Sequence, residues 1–492
     1  MPEPFGTHHS KMMILLRHDD SAQVVIHTAN MIHQDWMNMT QAVWRSPLLP
    51  LLVPESQSSK AAEAPSPPIG SGARFKIDLL RYLDAYEGRC RSLVAQLREY
   101  DFSGIRAALV ASVPRRFNPS SVAKSKHTDW GWPGLKQVLR SIPIWAASQT
   151  EQPHINVQVS SIATLTDAWL DAFFHILGTT APSTSTSTTT SSPSLASSQT
   201  TTTATASAKR PYSLFSRSQH TNPSPTSSPQ QKQNPKINLI FPTADEIRRS
   251  LDGYRSGDSI HMKLSSPAQQ RQLRYLKPFL CHWAGDAVSA LSSSNSDSNS
   301  RATTTTTTTT FPTTPPQARG SVRQSHRRRA APHIKTYIRF SSPSSSRDSR
   351  IDWAMVTSAN LSKQAWGELG NKNGEVRVHS YEIGVVVWPG LFAGRGRGEG
   401  EGNEGRVEMV PVFGRDGAGA GVEGGGGEGG EGVEGVEKEK EDKRGGTVVG
   451  FRMPYDLPLV PYGEHDVPWC ATADHLEPDW RGVVWQGYQP RT

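Results

Sequence analysis

Apolar residues come in short runs along this chain, and their spacing changes from run to run. Met12–Leu16 and Val24–Ile26 are strand-sized. From Phe75 through Ile77, Leu79, Leu80, Tyr82 and Leu83 the apolar positions recur at helical spacing, which predicts an amphipathic helix. Ala107–Val113 and Ile237–Phe241 read as strands. After the second, Thr243 with Glu246 three residues on predicts a capped helix start. Ile383–Trp388 is again strand-sized and stops at Pro389; no run approaches the roughly 20 apolar residues of a membrane span.

Between the patterned stretches lie segments with no apolar period. Residues 54–72 are rich in Ser, Pro and Ala, and 179–235 in Ser, Thr, Pro and Gln. Residues 289–325 contain the run Thr303–Thr310, and 394–447 are mostly Gly and Glu. Such segments bury too little apolar surface to offset the entropy of ordering, so the three long ones are expected to be disordered surface loops. They leave four folded blocks, about 1–53, 73–178, 236–288 and 326–492.

Composition follows from these inserts. Hydrophobic residues make up 35% of the 492 and mean hydropathy is −0.52. A net charge of +8 and a pI near 9.3 suit a polyanionic partner such as nucleic acid, though many basic proteins bind none. Cys90, Cys281 and Cys470 are far apart and odd in number, which points to a reducing compartment rather than a disulfide framework. The opening Met1-Pro2-Glu3-Pro4-Phe5 lacks the basic and apolar regions of a signal peptide. No cluster of Asp, Glu, His or Cys has metal-ligand spacing, so no metal or other cofactor is expected.

The blocks contain an internal repeat. Val25-Ile26-His27-Thr28-Ala29-Asn30-Met31 aligns with Met355-Val356-Thr357-Ser358-Ala359-Asn360-Leu361. Trp36 and Trp366 each follow the Asn by six positions, and a His-x-Lys precedes each copy: His9-Ser10-Lys11 and His333-Ile334-Lys335. On a strand, residues two apart share a face, so each His lies beside its Lys. That pairing suits phosphoryl chemistry, with an imidazole as nucleophile or general acid and an ammonium against the oxygens. Asn30 and Asn360 end their strands, where a side-chain amide can donate to the same oxygens or cap a helix. His8, His27 and His33 are read as structural.

Duplicated His-x-Lys is the signature of the phospholipase D superfamily. Most members place an Asp five positions after the Lys, where this chain has Leu16 and Phe340. The His-Lys-Asn variant resembles the tyrosyl-DNA phosphodiesterases. The wording around it is similar too: Pro4-Phe5-Gly6-Thr7-His8-His9-Ser10-Lys11, Pro332-His333-Ile334-Lys335-Thr336-Tyr337, Ser358-Ala359-Asn360-Leu361-Ser362-Lys363, Ser380-Tyr381-Glu382-Ile383-Gly384, Val157-Gln158-Val159-Ser160-Ser161 and Pro454-Tyr455-Asp456-Leu457-Pro458. The resemblance covers all four blocks and skips the inserts.

It implies an α/β fold of two pseudo-symmetric phospholipase D-like halves, each a mixed β-sheet flanked by helices, at 1–105 and 106–492. It implies a DNA-repair phosphodiesterase that hydrolyses the 3′-phosphotyrosyl bond between DNA and a trapped topoisomerase I peptide, and other 3′ adducts. His9 would be the nucleophile and His333 the general acid/base. Lys11, Lys335, Asn30 and Asn360 would bind the phosphoryl group, while Gln41 and Glu382 would orient the imidazoles. Ser161, Thr164 and Ser362 would touch DNA, with Thr164 standing where the family usually has Ser. A carboxylate favours a protonated imidazole and a carboxamide only fixes the tautomer, so Glu382 is expected beside His9 and Gln41 beside His333. A monomer in the nucleus, with no membrane partner, is also implied. In the family the first motif lies well inside the first domain, so the chain is expected to be N-terminally truncated. The alternatives are an inert DNA-binding protein that keeps the fold, or a general phospholipase D-type phosphodiesterase.

Overall fold

The first two apolar runs pair with each other. The computed structural model describes residues 6–53, 66–119, 126–144, 151–181, 234–283, 322–346, 349–368, 374–393, 407–414, 440–441 and 447–487. In it Met12–Leu16 forms β1 and Ser21–His27 forms β2, antiparallel, with Met12 opposite Ile26. The turn between them puts Asp20 at φ 55°, a left-handed conformation that Asp tolerates better than most residues. After the short helix α1 (His33–Met37), β3 (Val43–Arg45) and β4 (Leu49–Pro50) pair with the other edge of β2.

Alternate residues of β2, Ala22, Val24 and Ile26, are fully buried, as the two-residue period of a strand requires. They pack with Phe75, Leu79, Tyr82 and Leu83 of α2 (Gly72–Asp84) and with Val94 and Leu97 of α3 (Arg91–Arg98). The Ser71 side chain caps α2 by accepting from the Arg74 N–H. The predicted helix is therefore present and slightly longer than its apolar stripe.

Further along come β5 (Ala108–Ser112), β6 (Arg115–Phe117), α4 (Gly131–Ser141), β7 (His154–Gln158), β8 (Ser161–Ile162) and α5 (Asp167–Leu177). Then follow β9 (Lys236–Ile240), α6 (Ala244–Arg248), β10 (His261–Met262), α7 (Pro267–Leu276), β11 (Leu280–Cys281), β12 (Thr336–Phe340) and β13 (Ile351–Thr357). The last elements are α8 (Lys363–Trp366), β14 (Val376–Val378), β15 (Glu382–Val387), β16 (Val407–Val412), β17 (Lys440–Glu441) and β18 (Thr447–Arg452). A seven-stranded mixed sheet runs in the order β11-β9-β7-β12-β13-β15-β5. At the start of α6, Thr243 and Glu246 form the capping box that their spacing predicts.

The large sheet is covered on both faces, so its strands are buried almost throughout. Tyr337 of β12 joins Val157, Met355, Leu139, Leu170 and Phe173 in one cluster with α4 and α5. Ile338 and Phe340 face the other way, into a cluster with Met409, Phe413, Met453 and Tyr455. The second cluster corrects one expectation. Residues 407–412, inside the tract expected to be a loop, form β16, which pairs parallel with β18. The alternation Val407-Glu408-Met409-Val410-Pro411-Val412 carries the strand, and the surrounding Gly and Glu masked it. Residues 322–325 likewise belong to the fold: the Arg323 N–H donates to the Leu457 carbonyl and Ser325 is buried. The bulk of the expected inserts, at 182–233, 289–321 and 415–439, lies outside the described residues. No helix of the described residues is long and apolar enough to cross a membrane.

The matched tryptophans meet different fates. Trp366 is buried against Phe173 (5.3 Å between ring centroids) and Tyr337 (5.8 Å), whereas Trp36 is 53% exposed. Phe173 also stacks on Trp169 at 5.1 Å. Phe173→Ala should therefore cost about 3–5 kcal/mol of stability. Chemical denaturation of the variant against the parent checks this.

Candidate active site

Both His-x-Lys segments enter their hairpins in the same register. Met12, next after Lys11, pairs with Ile26, four before Asn30; Thr336, next after Lys335, pairs with Val356, four before Asn360. The His27 N–H donates to the Lys11 carbonyl (3.0 Å), and the Thr357 N–H to the Lys335 carbonyl (3.2 Å). Each lysine turns its ammonium back onto the carbonyl of its own histidine. Lys11 is 6% exposed and Lys335 not at all.

The two copies then bind each other crosswise. The His9 N–H donates to the Tyr381 carbonyl (3.0 Å), and the Tyr381 N–H to the Thr7 carbonyl (3.0 Å). The His333 N–H donates to the Thr40 carbonyl (3.1 Å), and the Thr40 N–H to the Ala331 carbonyl (2.9 Å). The residue after Tyr381 is Glu382, and the residue after Thr40 is Gln41. Glu382 thus lies against His9 Nδ1 (2.9 and 3.1 Å), and Gln41 against His333 Nδ1 (3.3 Å). A hydroxyl two residues before each Asn holds the orienting side chain. Ser358 Oγ donates to Glu382 (2.5 Å), and Thr28 Oγ1 to Gln41 Oε1 (2.8 Å).

One site residue escaped sequence reasoning. Asp35, fully buried in α1, places Oδ2 3.1 Å from His333 Nδ1. The same oxygen accepts from the Asn30 N–H (2.7 Å), and Oδ1 accepts from Ser259 (3.3 Å). The premise that Glu382 is the charged partner and Gln41 its neutral counterpart is therefore incomplete: each imidazole has a carboxylate. The signal was present as an acidic residue five beyond Asn30, where the second repeat has Ala365.

Asn30 Nδ2 lies 3.5 Å from His333 Nε2. Asn360 Oδ1 accepts from the Ser160 and Ser161 N–H groups (3.1 and 2.9 Å), which leaves its Nδ2 to donate to a ligand. The same loop runs beside Leu361, with the Leu361 N–H donating to the Ser161 carbonyl and the Ala163 N–H to the Leu361 carbonyl. Ser161, exposed Thr164 and Ser362 therefore share one rim next to Asn360. Ser362 also caps α8, accepting from the Ala365 N–H (3.1 Å), and Thr164 accepts from Gln269 (3.0 Å). His8 hydrogen-bonds Tyr86 (3.0 Å), His27 is buried under Trp36 at 5.5 Å, and His33 is exposed on α1.

Electrostatics at the centre favour an incoming anion. Burial pushes the Lys11 ammonium down to about 8, against the pull of Glu382 and Asp35. Burial first, and Lys11 second, push Lys335 well below the usual lysine range. His333 is held well below the usual histidine value by burial and by Lys335, Lys11 and His9. Burial pushes Glu382 up, but His9, Ser358 and Lys11 leave it below the ordinary carboxylate value. A phosphoryl group between the lysines would relieve the repulsion among these cations.

Known proteins resemble this chain in sequence and fold. The tyrosyl-DNA phosphodiesterase family model matches residues 1–463. The probable tyrosyl-DNA phosphodiesterase of Schizosaccharomyces pombe is 25% identical over 533 residues, covering 98% of this chain and 77% of that protein. Tyrosyl-DNA phosphodiesterase 1 of Arabidopsis thaliana is 26% identical over 498 residues; the match covers 99% of this chain and 62% of that protein's length. The crystal structure of the yeast tyrosyl-DNA phosphodiesterase superposes with a TM-score of 0.51 at 17% identity, covering 95% of this chain and 78% of that one. That likeness shows the mixed α/β fold of the phospholipase D type.

The Lys11 ammonium is present below about pH 8 and lost as pH rises through that value. Binding of tungstate, whose own charge is constant across the range, should weaken by about tenfold between about pH 7 and pH 9, because a hydrogen bond from a charged donor contributes about 1.5–3 kcal/mol. Competition titrations at the two pH values, repeated on Lys11→Ala, check this; the variant should lose most of the pH dependence.

Proposed function

Because the chain belongs to the tyrosyl-DNA phosphodiesterase family, a family of hydrolases, we propose that it hydrolyses the 3′-phosphotyrosyl bond between DNA and a trapped topoisomerase I peptide. Other 3′ adducts are included in this reading. The observation that carries it is the crosswise pairing, which sets two His-x-Lys pairs side by side with each Nδ1 held from behind.

His9 Nδ1 lies against Glu382, so Nε2 is the nucleophile. Its lone pair attacks phosphorus, the P–N bond forms and the P–O bond to tyrosine breaks. The tyrosine oxygen takes that electron pair and a proton from His333 Nε2. In the second step His333 takes a proton from water, the water oxygen attacks phosphorus, and the P–N bond breaks. The products are a 3′-phosphate, free His9 and protonated His333. Lys11, Lys335, Asn30 and Asn360 donate to the phosphoryl oxygens as charge shifts among them.

Substrate binding also supplies the proton problem's solution. In the empty site the two lysines and burial oppose protonation of His333. A phosphodiester anion cancels much of that field, so the imidazole can take up its proton once DNA is bound. Tyrosine leaves with a pKa of about 10, so one general acid suffices. The DNA end runs along Ser161, Thr164 and Ser362, with contacts to phosphates and sugars, and the peptide remnant lies on the opposite side. Action as a monomer in the nucleus belongs to the same proposal. Against a general phospholipase D activity stands Phe340, which fills with apolar carbon a fully buried position where most of the superfamily has Asp.

With a 5′-labelled 3′-phosphotyrosyl oligonucleotide, His9→Ala should abolish both turnover and covalent trapping. His333→Ala should lower turnover by about 10²–10⁴-fold, the usual contribution of a general acid/base, and should accumulate a DNA adduct on denaturing gels. Loss without any adduct, for every His333 replacement tested, would reject the assignment.

A further inference from the structure

The catalytic scheme leaves Asp35 without a task, although no other carboxylate among the described residues lies against His333 Nδ1. A neutral imidazole carries one N–H. His333 Nε2 faces two donor nitrogens, Lys335 Nζ at 3.1 Å and Asn30 Nδ2 at 3.5 Å, an arrangement that favours the tautomer in which Nε2 accepts and Nδ1 carries the proton. Two acceptors compete for that proton. Gln41 Oε1 is 3.3 Å away and already accepts from Thr28 Oγ1 at 2.8 Å. Asp35 Oδ2 is closer, at 3.1 Å, and charged. Gln41 in turn donates from Nε2 to the Asp35 backbone carbonyl (3.1 Å), so it braces Asp35 rather than replacing it.

Asp35 is also pinned. The Asn30 N–H and Ser259 Oγ fix its two oxygens, and it is fully buried. A structural role in tying α1 to the end of β2 accounts for the Asn30 bond. It does not account for the second contact of the same oxygen, to a ring nitrogen of the acid. The matched position in the other repeat, Ala365, has no side chain to do this. There the carboxylate comes from Glu382 instead.

We propose that Asp35 is a positioning residue that holds His333 in the Nδ1–H tautomer and offsets the surrounding lysines, so that Nε2 can carry the proton given to the leaving group. This rests on the hydrolysis proposed above. Opposing charge beside an imidazole favours its protonated form, and a neutral isostere removes that bias.

The test compares Asp35→Asn with the parent on two oligonucleotides, one ending in 3′-phosphotyrosine and one in 3′-phospho-p-nitrophenol, whose phenol is far more acidic and needs little help to leave. Asp35→Asn should lower kcat/KM for the tyrosyl substrate by about 10–100-fold, part of the 10²–10⁴ that a general acid contributes, and for the nitrophenyl substrate by less than about threefold. The basic limb of the tyrosyl pH profile should move down by about one unit, as expected on losing an adjacent opposite charge. Equal losses on both substrates with an unmoved limb would show a purely structural residue and overturn the proposal. Should the variant fail to fold, nitrogen NMR of His333 in the parent protein decides: a protonated Nδ1 supports the proposal and a protonated Nε2 overturns it. A parent that cleaves neither oligonucleotide would reject the hydrolysis reading, and the tautomer measurement would still judge Asp35.

Discussion

Backbone hydrogen bonds between the two repeats set everything else at this site. On one side the His9 N–H donates to the Tyr381 carbonyl and the Tyr381 N–H to the Thr7 carbonyl; on the other the His333 and Ile334 N–H groups donate to the Thr40 carbonyl and the Thr40 N–H to the Ala331 carbonyl. Main-chain bonds fix Cα positions, and with them the direction of the next side chain along the strand. Because Glu382 follows Tyr381 and Gln41 follows Thr40, each imidazole receives its partner from the opposite copy. Neither copy therefore supplies both an imidazole and the side chain that holds its Nδ1. The hairpin register, identical in the two copies, then delivers each lysine to the same place relative to its histidine.

The cost of this arrangement is electrostatic. Placing ammonium groups out of water is unfavourable by several kcal/mol each in real proteins. Lys335 has no exposed surface, and Lys11 is nearly as buried. Their counter-charges, Glu382 and Asp35, sit behind the imidazoles rather than against the ammoniums, so repulsion among Lys11, Lys335 and His333 is only partly relieved. An unliganded site of this kind is held in place by the surrounding core. The cluster of Phe173, Trp366 and Tyr337 clamps the second repeat, and α2 backs the first. The strain is discharged when an anion enters, which is the property a phosphodiester site needs.

Much of this was legible in the sequence, and what was missed has identifiable causes. Met12–Leu16 reads as the strand it forms, and Thr243 with Glu246 as the capping box it makes, because both signals are local. Strand Val407–Val412 was hidden because composition was averaged over a Gly/Glu tract, while the six-residue alternation that folds is far shorter than the tract. Trp36 and Trp366 occupy matched positions, yet one is exposed and the other buried, since burial depends on which elements pack above each. The large sheet's order, with β7 and β9 beside β12, comes from long-range pairing that no local period encodes. Asp35 carries a different kind of signal: it stands in one repeat only, so the pattern common to both does not contain it.

That asymmetry separates two otherwise matched imidazoles, as the two proposed roles require. Identical repeats would yield two equivalent imidazoles, each as fit to attack as to donate. Here His9 keeps 25% of its side chain exposed and meets one carboxylate directly through Nδ1. His333 is 4% exposed and meets a carboxamide and a carboxylate together, with Lys335 against its other nitrogen. On the reading proposed above, exposure lets His9 reach an incoming phosphorus, while Asp35 and a bound phosphodiester offset the burial and the lysines that oppose a proton on His333. Next to the lysines the two hairpins keep the same register, and they part only at the bulge after Arg339. The proposed division of labour therefore rests on two matched positions where the side chains differ: Glu382 against Gln41, and Asp35 against Ala365.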